Sequence, residues 1–386
     1  MRFAPLLIAL LLWLPAGQVC AQTSFSTTAD YAILVDYESG AVLFEKRADE
    51  LMRPASMSKL MTLAVVFAKL KSGEIKLDTE FPVSEHAWRT GGGPSGTSAM
   101  FTPLNTSVPV GEMLQGITVQ SGNDASIVLA EGLAGTEEAF AVMMTNEARR
   151  LGLKKSTFGN ATGLPHPDQF MTARELADLA AHLIREYPEY YPLFAQREYK
   201  YRRHNFINRN PLIYGNIGAD GLKTGYTSEA GYGITASAVR DGRRLILVMN
   251  GFKKESDRRE EATRLFNWGF ANFRTYTVFK QGETVGDARV WGAEKRYVTL
   301  KAKEDIKILL PITARDRERR INAEIAYLGP LKPPLKTGDQ VGELRLTSEA
   351  GTSNTAPLLA AEDVGAGGTV AKGLDSLLFL AFGWIL

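Results

Sequence analysis

Cysteine is almost missing from this chain: the single one is Cys20, in an N-terminal stretch that reads as a secretory leader. Arg2 is its short positive region, Leu6 to Leu14 its apolar core, and Val19-Cys20-Ala21 a small-residue cleavage site before Gln22. Val19 is a poor fit to the small residue that a lipid-attachment signal places before its cysteine. Cleavage after Ala21 leaves no cysteine, which excludes disulfides and thiolate chemistry from the mature chain. Histidine is also scarce: His86, His166, His182 and His204 lie scattered without ligand spacing, so no metal or other cofactor is expected. Charge of one sign is lacking too, since 45 basic residues against 43 acidic ones give a net +2, and the short Arg202-Arg203-His204 cluster is a solvated surface. No nucleic-acid partner is expected. The apolar run of the leader is too short to span a bilayer by itself. The glycine run Gly91-Gly92-Gly93-Pro94-Ser95-Gly96 lacks the lysine of a phosphate cradle and reads as a mobile loop near a site.

Against these absences stands Ser56-Met57-Ser58-Lys59, introduced by Pro54 and followed by Leu60, Met61, Leu63, Ala64, Val65, Val66, Phe67, Ala68 and Leu70. Those apolar positions fill most of a helical circumference, which predicts a helix buried on nearly all sides. Pro54 suits a helix start, where a missing N–H costs nothing. Residues i and i+3 share a helix face, so Lys59 lies beside Ser56. Burial disfavours a charged amine, and a neutral one can accept a serine proton. By itself a Ser-x-x-Lys tetrapeptide is more often an N-cap beside a solvated lysine, so the support has to come from elsewhere.

The length suggests two domains. Tyr31–Asp36 and Ala41–Phe44 read as a strand hairpin turning at Tyr37-Glu38-Ser39-Gly40. Helical spacing covers Val110 onward to Ser121, the segment with Ile127 to Ala130, and Ala139 to Leu151. Thr172-Ala173-Arg174-Glu175 is a capping box, which gives Glu175 a structural task. Strands return at Asp220–Thr227, Gly231–Val239 and Leu245–Met249, and Glu260 to Phe273 is helical again. Helices bracketing strands predict an α/β (α+β) domain, a sheet covered by helices, over residues 22–278 after a leader at 1–21. Beyond Phe279, short alternating runs such as Val298–Lys301, Ile306–Ile308 and Val341–Leu346 predict a small all-β domain over 279–362. The last stretch, 363–386, pairs a glycine-containing linker with an apolar end from Leu377, and is expected to be an amphipathic helix held at a membrane surface.

Two later motifs support the serine. Ser121-Gly122-Asn123 falls at a helix start, and Lys223-Thr224-Gly225 falls in a strand. The ordered triple is the set of class A β-lactamases and penicillin-binding proteins. A second Lys336-Thr337-Gly338 in the β-rich part reads as a turn and shows that this tripeptide alone says little. In chemical terms, Ser56 attacks a carbonyl and Lys59 takes its proton. Ser121 relays a proton, Asn123 holds substrate, and Lys223 supplies positive charge. Thr224 and Thr227 offer hydroxyls to a carboxylate, while the backbone at Tyr226 and Ser56 offers an oxyanion hole.

With these stretches, together with Gln120–Ala125, Asp220–Thr227 and Trp268-Gly269-Phe270, the chain resembles a low-molecular-mass penicillin-binding protein of the D-alanyl-D-alanine carboxypeptidase family. The resemblance spans nearly the whole chain. It implies a β-lactamase/DD-peptidase-like catalytic domain whose five-stranded antiparallel sheet is flanked by helices. It also implies that Arg209 and Arg258 bind the terminal carboxylate of the substrate, alongside Thr224, Gly225, Tyr226 and Thr227. The implied activity is removal of the terminal D-alanine from peptidoglycan pentapeptide stems in the periplasm, through acylation of Ser56 by the stem or by β-lactam antibiotics. Attachment to the outer face of the inner membrane through the C-terminal helix is part of the same expectation.

Three other functions compete with it. A β-lactamase would need a glutamate to activate water, and between Asn123 and Lys223 there is no Glu-x-x-Leu-Asn-type stretch to supply one. A transpeptidase or endopeptidase differs only in the acyl acceptor. A wall-binding scaffold with a residual site is opposed by the intact Ser/Lys/Ser/Asn/Lys set.

Overall fold

A computed structural model describes residues 25–312, 320–327, 329, 331–349 and 352–368. The leader at 1–21 and the expected surface helix beyond 368 lie outside these residues.

The first part is built on strands β1 (Tyr31–Asp36) and β2 (Val42–Lys46) and, far along the chain, β3 (Ala219–Thr227), β4 (Gly231–Arg240) and β5 (Arg243–Phe252). They form one antiparallel five-stranded sheet in the order β2-β1-β5-β4-β3. Both faces are covered, so the central strands are continuously apolar instead of alternating. On one face Ile33, Ile246 and Val248 join the large core of the helical lobe. On the other, Ala32, Leu34, Leu245, Leu247 and Met249 pack against Ala262, Leu265 and Phe266 of a long helix at Glu255–Asn272. Gly269 lets that helix come close: a Cβ there would stand 2.5 Å from Leu34 Cδ2.

The helical lobe contains α1 (Lys59–Lys71), α2 (Asn123–Ala134), α3 (Glu137–Arg150) and α4 (Ala173–Glu186); the long helix is α5. Lys59 to Phe67 are buried without a break, as the all-round apolar pattern predicts. Thr172 caps α4 by accepting the Glu175 N–H at 3.0 Å. The reciprocal half of the expected capping box is replaced, because the Glu175 carboxylate accepts instead from Lys155 N at 2.7 Å and Ser156 Oγ at 2.5 Å.

The strands that follow α5 start at Phe273, ahead of the boundary at 279 expected from the sequence. Strand β6 (Phe273–Phe279) pairs with β9 (Ile306–Pro311). The remaining strands, β7 (Thr284–Arg289), β8 (Tyr297–Ala302), β10 (Ile321–Ala326), β11 (Gln340–Ser348) and β12 (Ser353–Ala360), form a second five-stranded sheet ordered β7-β8-β12-β11-β10. Alternating apolar positions such as Val298, Leu300, Leu344, Leu346 and Leu358 fill a core of its own. No helix among the described residues is long and apolar enough to cross a membrane.

Candidate active site

Ser56 lies in a short 3-10 turn, Ala55–Ser58, that runs straight into α1 at Lys59. In such a turn i and i+3 eclipse, and the Lys59 amine therefore reaches back to Ser56 Oγ at 3.0 Å. The amine also donates to Asn123 Oδ1 at 2.7 Å and to the Thr162 carbonyl, with no carboxylate among these three partners. Burial lowers the Lys59 pKa to about 7, helped by the nearby Arg209 charge and opposed by Glu137 and Asp124. A lysine in that state is a base at neutral pH.

Ser121 stands at φ +65°, left-handed for a non-glycine residue, and turns the chain into α2. Its hydroxyl is buried with no hydrogen-bond partner, an acceptor and donor left for a visitor. Asn123 is clamped on both ends of its amide: Oδ1 accepts a hydrogen bond from the Lys59 amine and Nδ2 donates to Thr97 Oγ1 at 2.9 Å. Asp124 ties the preceding loop to the same helix start, accepting from Met100 N at 2.8 Å and Thr102 N at 2.9 Å.

The third motif arrives on β3, an edge strand with no further strand paired to it among the described residues, so that an extended chain can pair there. Gly225 is required where β3 passes the nucleophile turn, since a Cβ would stand 2.9 Å from the Pro54 carbonyl and 3.1 Å from Ala55 Cβ. Lys223 is buried and donates to the Thr224 carbonyl at 3.1 Å. Burial first, then the charges of Lys59, Arg209 and Arg258, hold its pKa well below the lysine range. Thr224 is buried, whereas Thr227 closes the turn into β4 by accepting from Ala230 N at 3.0 Å. Tyr226 is exposed and stacks on Tyr232 at 4.2 Å, and Arg258 lies over the Tyr232 ring at 5.7 Å. Arg258 is buried, its Nη2 paired with Glu255 at 2.8 Å and its Nε unpartnered. Arg209 donates to Ser98 Oγ at 2.7 Å, and the Ser98 carbonyl accepts the Asn123 N–H at 2.7 Å. Two arginines thus join the two buried lysines around one site, and their positive charge suits it to an anionic substrate.

The second Lys-Thr-Gly is a turn ahead of β11, where Asp363 accepts from both Thr337 N and Thr337 Oγ1 at 2.8 Å. The glycine run is not the loose loop its composition suggests. Gly91 lies against the start of α2, where a Cβ would come 2.5 Å from Asp124 N.

Comparison with known proteins identifies the family of the chain. The family description for D-alanyl-D-alanine carboxypeptidase matches residues 18–253, and that for the C-terminal domain of penicillin-binding protein 5 matches residues 273–366. The chain belongs to the D-alanyl-D-alanine carboxypeptidase family. The carboxypeptidase DacC of Escherichia coli is 37% identical over 381 residues, covering 97% of this chain and 94% of that protein. The structure of penicillin binding protein 5 from Haemophilus influenzae superposes with a TM-score of 0.78 at 34% identity, over 89% of this chain and 99% of that one. Penicillin-binding protein D2 from Listeria monocytogenes, solved in its ampicillin-bound form, gives a TM-score of 0.56 at 28% identity over 64% of this chain and 100% of its own.

In this D-alanyl-D-alanine carboxypeptidase the motif residues are braced by groups that belong to none of the three motifs. Thr97 and Ser98 hold Asn123 and Arg209, and the Thr162 carbonyl holds Lys59. The only local trace of the last is Asn160-Ala161-Thr162-Gly163, an Asx turn in which Asn160 Oδ1 accepts from Thr162 N at 3.1 Å and Gly163 N at 2.7 Å.

Proposed function

We propose that the chain is an exported serine D-alanyl-D-alanine carboxypeptidase that removes the terminal D-alanine from peptidoglycan stem peptides and is acylated by β-lactams at the same serine. The observation that carries this reading is the 3.0 Å approach of Ser56 Oγ to a Lys59 amine that is half-neutral near pH 7.

The substrate lies antiparallel to the free edge of β3, its terminal carboxylate toward Thr224, Lys223, Arg209 and Arg258. Lys59 takes the Ser56 proton as Oγ bonds to the penultimate D-alanine carbonyl carbon. The oxyanion is met by the backbone N–H groups of Ser56 and Tyr226. The C–N bond then breaks, and the departing amine of D-alanine receives a proton relayed through Ser121 from the Lys59 and Lys223 side. Water, activated by the same lysine, attacks the ester and frees Ser56. No carboxylate base is invoked, and the Glu175 carboxylate is engaged with Lys155 and Ser156. The domain division follows the strands, with catalysis in 22–272, the β-rich part from 273, and the C-terminal stretch resting on the outer face of the inner membrane.

The test is the intact mass of the purified protein after brief exposure to benzylpenicillin, with Ser56→Ala beside it, and D-alanine release from a peptide ending in D-Ala-D-Ala. A one-to-one adduct absent from the variant, with D-alanine released by the wild type, is expected. Drug consumed without adduct would instead mark a β-lactamase, and neither adduct nor turnover a scaffold.

A further inference from the structure

Glu137 belongs to none of the three motifs. It opens α3, with only 8% of its surface exposed, and its two carboxylate oxygens have different partners. Oε1 accepts the Ala161 N–H at 2.9 Å, and Oε2 meets Nε2 of the half-exposed His86 ring at 3.2 Å. The Ala161 carbonyl accepts from Thr62 Oγ1 of α1 at 2.7 Å, and the next carbonyl, that of Thr162, accepts from the Lys59 amine. One buried carboxylate therefore secures the very peptide segment that completes the Lys59 coordination.

We propose that Glu137 is a positioning residue for the catalytic lysine: it pins residues 160–163 so that the Thr162 carbonyl faces Lys59. Its carboxylate charge, which favours the Lys59 ammonium, is a second role toward the same amine. The proposal rests on Lys59 acting as the base toward Ser56. The charged groups acting on Lys59 are Arg209, which favours the neutral amine, and Glu137 and Asp124, which favour the ammonium; Lys223 is nearby, but burial and the Lys59 charge disfavour its own charged form. Asp124 is committed to the 100–102 loop and makes no bond to residues 160–163. Facing Glu137 itself are His86 across the helix start and Glu138 beside it.

Glu137→Gln separates the two roles. Its amide oxygen still accepts from Ala161 N, but the charge is gone. The rate of penicillin acylation, followed from pH 5 to 9, rises in the wild type as Lys59 loses its proton. In Glu137→Gln the midpoint of that rise is expected to move to lower pH by roughly half a unit to one unit, with a plateau within about threefold of wild type. Glu137→Ala, which also releases the tether, is expected to lose about tenfold or more of the plateau rate. A Glu137→Gln midpoint unchanged from wild type overturns the electrostatic role, and a Glu137→Ala plateau equal to that of Glu137→Gln overturns the tether. A wild-type rate that is flat through pH 7 removes Lys59 as the base, and the proposal with it.

Discussion

The amine of Lys59 stands 3.0 Å from the hydroxyl of Ser56 and 2.7 Å from the amide oxygen of Asn123, fully buried and with no carboxylate in contact. An amine so placed accepts a proton readily only when neutral, which sets the direction of the pH dependence. Acylation is slow where Lys59 is protonated, below its pKa of about 7, and rises to a plateau above it. Lys59→Arg keeps the charge but cannot give it up, since a guanidinium stays protonated at any working pH. The expected loss is on the order of 10²–10⁴ in acylation rate, read as the time course of covalent penicillin adduct. Retention of more than a tenth of the wild-type rate would assign the base elsewhere.

The same burial carries a stability consequence of definite sign. The Lys59 pKa is about 7 in the folded protein against the ordinary lysine value of 10.5. Between those values the unfolded chain holds more protons, so stability rises with pH. Below pH 7 the cost of burying the ammonium is present in full, on the order of a few kcal/mol. It fades toward pH 10. Relative to wild type, Lys59→Met should therefore be more favoured at pH 6.5 than at pH 9.5, as measured by urea unfolding at both values. The direction holds even though the variant leaves Asn123 Oδ1 and the Thr162 carbonyl without a donor, because that loss does not depend on pH. An equal difference at the two pH values would show that Lys59 keeps an ordinary pKa.

How far the sequence reached follows from how local each signal is. Ser56 and Lys59 are three residues apart on a helix start, and Ser121 and Asn123 flank one turn, so spacing alone brings them to a common face. The five strands were legible from apolar runs, and the buried helix from its unbroken apolar circumference. What bound these pieces together was not legible. The Thr162 carbonyl is a backbone group 103 residues from Lys59, and any residue type supplies one. Glu137 reaches Ala161 across a gap of 24 residues, with no periodicity to announce it. The glycine run misled because composition records freedom of the backbone and not the close approach for which Gly91 is needed.

Arg209 and Arg258 differ in setting, and the two substitutions should differ accordingly. Arg209 is exposed and held by one hydroxyl, Ser98 Oγ, so Arg209→Ala removes an anion contact with little effect on folding. It should raise KM for a peptide ending in D-Ala-D-Ala by about ten- to a hundredfold, with kcat changed much less. The control is the same peptide with a terminal carboxamide, for which the variant and wild type should be nearly equal. Arg258 is buried with its Nε unpartnered, and Arg258→Ala also strands Glu255 and opens space beneath Tyr232. That variant should lose thermal stability as well as affinity. Equal loss on the carboxylate and carboxamide peptides for Arg209→Ala would rule out recognition of the carboxylate by this side chain.

Gly163 offers the sharpest test of the segment that holds Lys59. It adopts φ +78°, and a Cβ there would stand 2.1 Å from the Ala55 carbonyl and 2.6 Å from Ser58 Oγ. Gly163→Ala therefore forces a left-handed alanine and drives the segment into the nucleophile turn at once. Neither neighbour can yield easily, because both are anchored in the turn that presents Ser56. Strain and overlap together should cost about 1–3 kcal/mol of stability. The acylation rate should fall by about tenfold or more, since small displacements of reacting groups are felt strongly. Gly40→Ala is the companion variant: it has a similar φ of +70° but nothing within 4 Å, in a turn remote from the cleft. It should show the conformational part of the stability loss and keep the wild-type acylation rate. If Gly163→Ala acylated as fast as Gly40→Ala, the close packing of residues 160–163 on the nucleophile turn would have no part in positioning Ser56 and Lys59.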